Sequence, residues 1–167
     1  MAAPATVDVR TADVMLSDVD CTLEDLPHAP AVRLGLGPGL RMLVGLKTES
    51  MERIVVARRE RLFESAEDLA RRAQLEHQDM KLLAGADALM PLSGHRRQQV
   101  WDASAWRSAP ALLREASFDK ELLELPPAPE GEEILFDYEA LRLTLRRHPP
   151  ALLRPRSNPS QWTALPM

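Results

Sequence analysis

The sequence predicts a mainly α fold with a short pair of β segments at its start. Three observations carry that expectation. Ala, Leu, Arg and Glu are frequent and only 7 of 167 residues are Gly, a composition that favours helix. The 14 prolines cut the helical stretches into short pieces. Apolar residues recur at helical spacing in several runs after residue 40, whereas before residue 36 they alternate as strands do.

Val7 and Val9, with Val14 beyond them, mark a short strand within residues 7–17. Ala31–Leu36 alternates in the same way and is expected to pair with it. Such a pair is marginal in water and needs a helix to lean on. Gly35, Gly37, Pro38 and Gly39 end it. Leu40-Arg-Met-Leu43 reads as a short helix, Gly45-Leu46-Lys47 as a tight turn, and Thr48 as the N-cap of a second helix with Glu49 in its first turn. Met51, Ile54, Val55 and Arg58 share one face of that helix, which ends near Leu62-Phe63.

Ser65-Ala-Glu-Asp68 is a capping-box signal that opens a helix through about Arg72, anchored by Leu69. A further helix from about His77 to Ala84 turns Met80, Leu83 and Ala84 inward. Gly85 is expected to end it and Leu89 to tuck back into the core. Ser93 or Gly94 starts a longer helix with Val100, Trp101 and Ala105 as its apolar stripe. Ala109–Gly131 carries Pro110, Pro126, Pro127 and Pro129 and reads as a linker with a brief helical turn. Glu132–Arg147 is helical by the spacing of Ile134, Leu135, Tyr138, Leu141 and Leu145, until His148-Pro149-Pro150 stops it. The expected division is a β segment over 1–36, tandem helical hairpins over 37–108, a linker over 109–131, a helix over 132–150 and a disordered tail over 151–167.

Charge and residue usage exclude several function classes. The net charge of −4 argues against a protein that coats nucleic acid with general positive charge. The charge is uneven, however. Residues 8–25 and 115–139 are acidic, while basic residues gather at 53–61, 71–72, 96–97 and 142–156, so local patches can still meet phosphate. The single cysteine, Cys21, permits no intrachain disulfide and no cysteine zinc cluster, and reads as a buried or idle thiol in a reducing compartment. No signal-peptide pattern and no apolar run of about 18 residues is visible, so a soluble, cytoplasmic protein with no membrane partner is expected. His28, His77, His95 and His148 are scattered without zinc spacing. Asp18 and Asp20 can share one side of a strand, but nothing converges on them as two-metal chemistry requires. They read as solvated loop residues or helix caps. No P-loop, nucleophile elbow or dinucleotide fingerprint is present, and no cofactor is expected in this chain.

The run Leu40–Val55 has the layout of a helix-hairpin-helix, a motif that grips nucleic-acid backbone. Its turn presents N–H groups at a helix N-terminus, where the helix dipole favours an anion. Such a contact is to phosphate and reads no sequence. The candidate DNA-binding residues are Gly45 and the backbone N–H groups of Leu46, Lys47 and Thr48, with the side chains of Lys47 and Arg53. Taken alone, a Gly between two apolar helices is also an ordinary helix–helix turn. His95, Arg96 and Arg97 open another helix and form a second candidate cluster, with a solvated basic turn as the plainer reading. Arg58-Arg59 and Arg71-Arg72 are expected to pair with nearby Glu60, Glu67 and Asp68. Trp101 is read as core and not as a base-stacking platform.

An ordered set of segments resembles the error-prone branch of bacterial C-family replicative polymerases, in the region after the fingers. It comprises Asp13-Val-Met-Leu-Ser-Asp-Val-Asp-Cys-Thr-Leu-Glu24, Val32-Arg-Leu-Gly-Leu36, Gly45-Leu46 with Glu52–Arg58, Phe63–Ala73, Leu83–Leu89, Gly94–Gln98, Glu130–Tyr138 and Leu143–Pro149. It covers about residues 7–154. The resemblance implies tandem helix-hairpin-helix elements that hold template–primer duplex, and a parent activity of DNA-directed nucleotide addition opposite damaged template, in replication and repair. It also implies that the segment ending in His148-Pro149 is similar to the helix leading into an OB fold. The palm that would hold the catalytic metals is not among the matching segments, so the chain resembles a fragment from a truncated or split gene and is expected to be inactive alone. Expected partners are duplex DNA, the remaining polymerase parts or accessory mutagenesis proteins. The alternative is a helical interaction module docking through Leu141, Leu143 and Leu145, or an inactive remnant. The chain departs from the family-like Gly-Leu-Gly turn by having Lys47. A left-handed backbone there would cost about 1 kcal/mol. It also has Met51 where a small residue is usual.

Overall fold

The computed structural model describes residues 8–25, 30–35, 43–106 and 124–153. The chain opens with three strands, β1 (Asp8–Arg10), β2 (Thr22–Asp25) and β3 (Pro30–Arg33). Seven helices follow among the described residues: α1 (Thr48–Glu60), α2 (Ala66–Arg72), α3 (His77–Gly85), α4 (Met90–Ser93), α5 (Arg96–Ala105), α6 (Glu130–Leu141) and α7 (Pro149–Leu153). The mainly α architecture with a small β start is therefore as the composition implies.

The sheet has three strands in the order β1-β3-β2, one more than the alternation predicts. β1 runs parallel to β3 with Val9 opposite Val32, and β2 runs antiparallel with Leu23 opposite the same Val32. β2 escapes the apolar pattern because its ladder is reinforced by charge. Glu24 accepts hydrogen bonds from the Arg33 guanidinium beside it, while Leu23 is 78% exposed. That Arg33 hydrogen bond, helped by the Arg33 and Arg10 charges, holds the Glu24 carboxyl below the usual range. Val7 lies outside the described residues.

The link from β1 to β2 is fixed by side chains that accept or donate inside the protein. Ser17 is fully buried; its hydroxyl donates to the Leu34 carbonyl at 2.7 Å and accepts from the Asp13 N–H at 2.9 Å. Gly35 makes the packing of this link possible: a Cβ there would stand 2.4 Å from the Asp20 carbonyl carbon. Cys21 Sγ accepts from the Gly35 N–H at 3.5 Å. Ala12, Val14 and Leu34 then join Leu46, Met51, Ile54, Leu69, Leu83, Leu89 and Leu141 in a single buried cluster. One core thus runs beneath the segments that the sequence divides at residues 36 and 131.

Helix capping explains how the helices meet. Ser65 caps α2 by accepting from the Asp68 N–H at 3.1 Å, as its sequence signal indicates. Arg72 of α2 reaches back to the carbonyl of Ala57 and, at 2.9 Å, that of Arg61, at the end of α1. Arg53 of α1 in turn donates to the carbonyls of Ala73 at 2.8 Å and Gln74 at 3.3 Å, just past α2. Each helix thus supplies a cation that meets carbonyls at the other's C-terminal end.

Several side-chain placements differ from the periodicity reading. Trp101 is 50% exposed, and the buried positions of α5 are Arg96, Gln99 and Ala103. On α6 the buried residues are Glu133, Ile134, Asp137 and Leu141, while Leu135 and Tyr138 face outward. The inward stripe of α6 contains two carboxylates because a buried arginine awaits them, so apolarity alone misplaces the face. α6 ends at Leu141 with Arg142 in the left-handed region at φ 61°. Pro149 opens α7, where a missing N–H is harmless at the first helical position. The predicted short helix at Leu40–Leu43 falls largely on residues 36–42 and the linker turn on residues 107–123, which lie outside the described residues; of the tail expected to be disordered over 151–167, residues 151–153 are the end of α7 and 154–167 lie outside the described residues.

Candidate nucleic-acid interface

The turn begins where the chain leaves Leu43. Gly45 adopts φ +94°, a conformation open to glycine and strained for other residues, and it lies over α3 with its missing Cβ 3.6 Å from Leu82 Cδ1. The Val44 N–H donates to the Ala140 carbonyl near the end of α6 at 3.1 Å. Leu46 is buried in the core and pins the turn, while Gly45, Lys47, Thr48 and Glu49 are exposed.

Lys47 is the N-cap of α1, with φ −73° and ψ 142°. Thr48, expected as the cap, is the first helical residue instead, because the chain enters the helix from an extended Lys47 whose carbonyl accepts from Ser50 and Met51. Position 47 needs no left-handed backbone, so lysine carries no conformational penalty there. Met51 is buried in the core at 1% exposure and accommodated. Among the described residues, no hydrogen bond takes up the N–H groups of Gly45, Leu46, Lys47, Thr48 or Glu49. These donors crown the positive end of a 13-residue helix. The Lys47 ammonium stands beside them, in an exposed pair with Glu76 at 3.4 Å. Exposed pairs of this kind are weak and exchange readily for another anion.

The other sequence-selected side chains have internal partners. Arg53 caps α2, as above, and also donates to Ser50 Oγ at 3.1 Å. Its guanidinium is a brace behind the turn, not a free phosphate ligand. His95 caps α5 by accepting from the Gln98 N–H, and its Nε2 lies 2.7 Å from the Leu125 carbonyl. Arg97 pairs with Glu132 at 2.8 Å. Arg96 is 1% exposed and donates to the Asp137 carboxylate at 2.5 Å and the Glu133 carbonyl at 2.8 Å. Gly94–Gln98 is thus the seat of a clamp that fastens α6 to α5, and it presents no basic patch to solvent. Arg71 and Arg72 pair with Asp68 as expected, whereas Arg58 reaches to Asp18 and to the carbonyls of Val14 and Ser17. Leu141, proposed as a docking residue, is fully buried, and Leu143 packs against the same core.

The clamp gathers residues whose structural role the sequence reading missed. Arg96 and Arg146 face Glu133, Asp137 and Asp87 across the junction of α5, α6 and the loop after α3. Gln99, fully buried, donates to Asp87 and to the Gly94 carbonyl at 2.6 Å each and accepts from the Leu89 N–H, so it closes the α3–α5 hairpin. A glutamine in a polar stretch of helix gives no sequence signal for such a role.

Burial pushes the Asp87 carboxyl above the usual range, against the pull of Arg96, Gln99 and Arg146 and with help from the Asp137 charge. A carboxyl pKa raised by folding means that the fold binds this proton more tightly than the unfolded chain does. Its contribution is present below the unfolded value, near pH 4, and is lost as pH rises through the higher folded value. Asp87→Asn is therefore expected to raise stability at neutral pH relative to pH 4. Asn keeps the Gln99 acceptor and tolerates the φ of 62° at this position. Urea unfolding at both pH values tests this, and a larger loss at neutral pH than at pH 4 would refute it.

Residues 6–99 match the helix-hairpin-helix motif family. The error-prone DNA polymerase of Aromatoleum aromaticum is 46% identical over 153 residues, which covers 89% of this chain and 14% of that protein. That of Ralstonia nicotianae is 43% identical over 153 residues, covering 90% and 14%. That of Methylococcus capsulatus is 37% identical over 165 residues, covering 90% and 16%. The chain thus spans 14–16% of the length of these curated relatives. With the exposed turn before α1, all of α3 and the start of α5 inside the matched region, the chain belongs to the helix-hairpin-helix family, in the form that error-prone DNA polymerases carry as one segment.

Proposed function

We propose that this chain holds duplex DNA by its sugar–phosphate backbone, without reading sequence, as the duplex-gripping segment of an error-prone polymerase. The observation that carries this reading is the row of N–H groups from Gly45 to Glu49, at the exposed start of α1, that no group among the described residues takes up. A phosphate there receives backbone hydrogen bonds, the favourable helix dipole and the Lys47 charge together. Arg53 and the Ala140–Val44 hydrogen bond serve to hold the turn in place, so a phosphate meets donors that are already arranged. DNA synthesis opposite damaged template, the activity the polymerase resemblance suggests, belongs to the larger assembly in which this grip would serve.

Fluorescence anisotropy of a labelled duplex across a salt series tests the grip. Binding should weaken linearly in log–log form as salt rises, since each neutralised phosphate releases counterions. Lys47→Glu is expected to weaken binding on every sequence and to lower the salt slope by about 1. Unchanged affinity in that variant would remove the turn from the interface.

A further inference from the structure

Nearly every cation of the described residues has an internal partner. Arg59, Lys81 and Arg142 are the exceptions: all three are exposed, and none of their side chains enters a hydrogen bond or ion pair among the described residues. Two of them lie beside the turn. Lys81 and Gly85 are one helical turn apart on the same stripe of α3. A Cβ at Gly85 would meet the Ala140 side chain at 3.9 Å. Ala140 is the residue whose carbonyl accepts the Val44 N–H, and Arg142 follows it by two positions. Lys81 is also the immediate neighbour of Leu82, on which Gly45 rests. Arg59 lies at the far end of α1, about 18 Å from Lys47 along the helix axis.

Arg142 also closes α6 in an uncommon backbone conformation for its residue type. This residue occupies the left-handed conformation after α6, a position that Gly or Asn fills at little cost. Gln74 and Asp87 also sit at positive φ, but Arg142 alone of the three carries a cation, and its guanidinium has no partner among the described residues.

We propose that the phosphate-binding surface continues from the Gly45–Thr48 turn across the seam between α3 and α6, with Lys81 and Arg142 as its outer cations and a phosphodiester backbone as the ligand. This rests on the reading of the turn as a nucleic-acid grip. It makes the C-terminal end of α6 part of the interface, although α6 lies beyond the residues 6–99 that match the motif family. The three cations Lys47, Lys81 and Arg142 then accompany one strand past the turn, where a single lysine would hold only one phosphate.

The test uses the whole chain and a labelled mixed-sequence duplex. Lys81→Gln and Arg142→Gly are compared with Arg59→Gln, each over a salt series. Gly suits the left-handed backbone, so Arg142→Gly removes the charge while preserving the helix end, and circular dichroism checks that both folds persist. Each of the two should lower affinity and reduce the log–log salt slope by about 1, with Arg59→Gln unchanged. If Lys47→Glu weakens binding but Lys81→Gln and Arg142→Gly do not, the extended surface is wrong and the turn alone is the grip. Equal losses in all three neutralised variants, Arg59→Gln included, would show diffuse attraction and overturn it as well. If the unaltered chain shows no salt-dependent binding, both readings fall.

Discussion

Arg96→Ala is expected to destabilise the chain by about 3 kcal/mol, at the lower end of the 3–5 kcal/mol typical of breaking a buried ion pair. The size follows from what is left behind. Glu133 and Asp137 have side chains 10% and 6% exposed, and the Arg96 guanidinium between them is 1% exposed. Truncation leaves two buried carboxylates without their principal counter-charge and opens space where the side chain stood. Arg146 still faces both carboxylates, but it is 37% exposed and so compensates only in part, which places the loss near the bottom of the range. In a Glu133→Gln/Asp137→Asn background the same truncation should cost less, because its two closest carboxylates are then neutral and Asp87, at 4.0 Å, keeps Arg146 as a partner. Urea titration of the four proteins gives the comparison. An equal loss in both backgrounds would mean that Arg96 acts by filling volume and not by neutralising charge. Hydrogen exchange adds a functional readout: if α6 loosens, the Val44 amide loses its Ala140 acceptor and its protection.

That cluster also marks the boundary of what the sequence could reveal. Ser65 and Leu69 are legible because a cap and an apolar anchor are local features, fixed by residues three or four positions apart. The Gly45-Leu46-Lys47 turn is legible for the same reason. Arg96 is not. In the sequence it stands in a run with His95 and Arg97 at a helix start, and it reads as solvent-facing charge. Its burial depends on Glu133 and Asp137, 37 and 41 positions away, which replace water around the guanidinium. The same long-range pairing inverts the face assignment of α6, since the residues that bury there are acidic. β2 is invisible for a related reason: its backbone ladder to β3 is reinforced by a Glu24–Arg33 contact and not by apolar alternation. Local rules therefore recover elements and caps, and they fail where a buried charge finds its partner across the fold. Around the candidate interface, the same blindness hides that Arg53, Arg96 and Arg97 have partners inside the fold.

Leu83→Ala is expected to cost about 2–5 kcal/mol, whereas Trp101→Ala, a larger truncation, should cost about 1 kcal/mol. Leu83 is fully buried in the common core, on the helix that packs against α5 and carries Leu82 beneath Gly45. Removing its methyl groups sacrifices apolar burial and leaves a cavity that helices tied by Gln99 and Arg96 cannot readily close. Trp101 is 50% exposed, so much of its ring already meets water and little is lost. The contrast separates two phases of α5. The apolar spacing alone turns Trp101 inward, and the structure turns Ala103 inward in its place, with Gln99 one turn before it. Denaturant midpoints of the two variants decide between them. A Trp101→Ala loss equal to or greater than that of Leu83→Ala would mean that α5 is rotated from its assigned face. The Gln99 contacts closing the α3–α5 hairpin would then have to be abandoned with it.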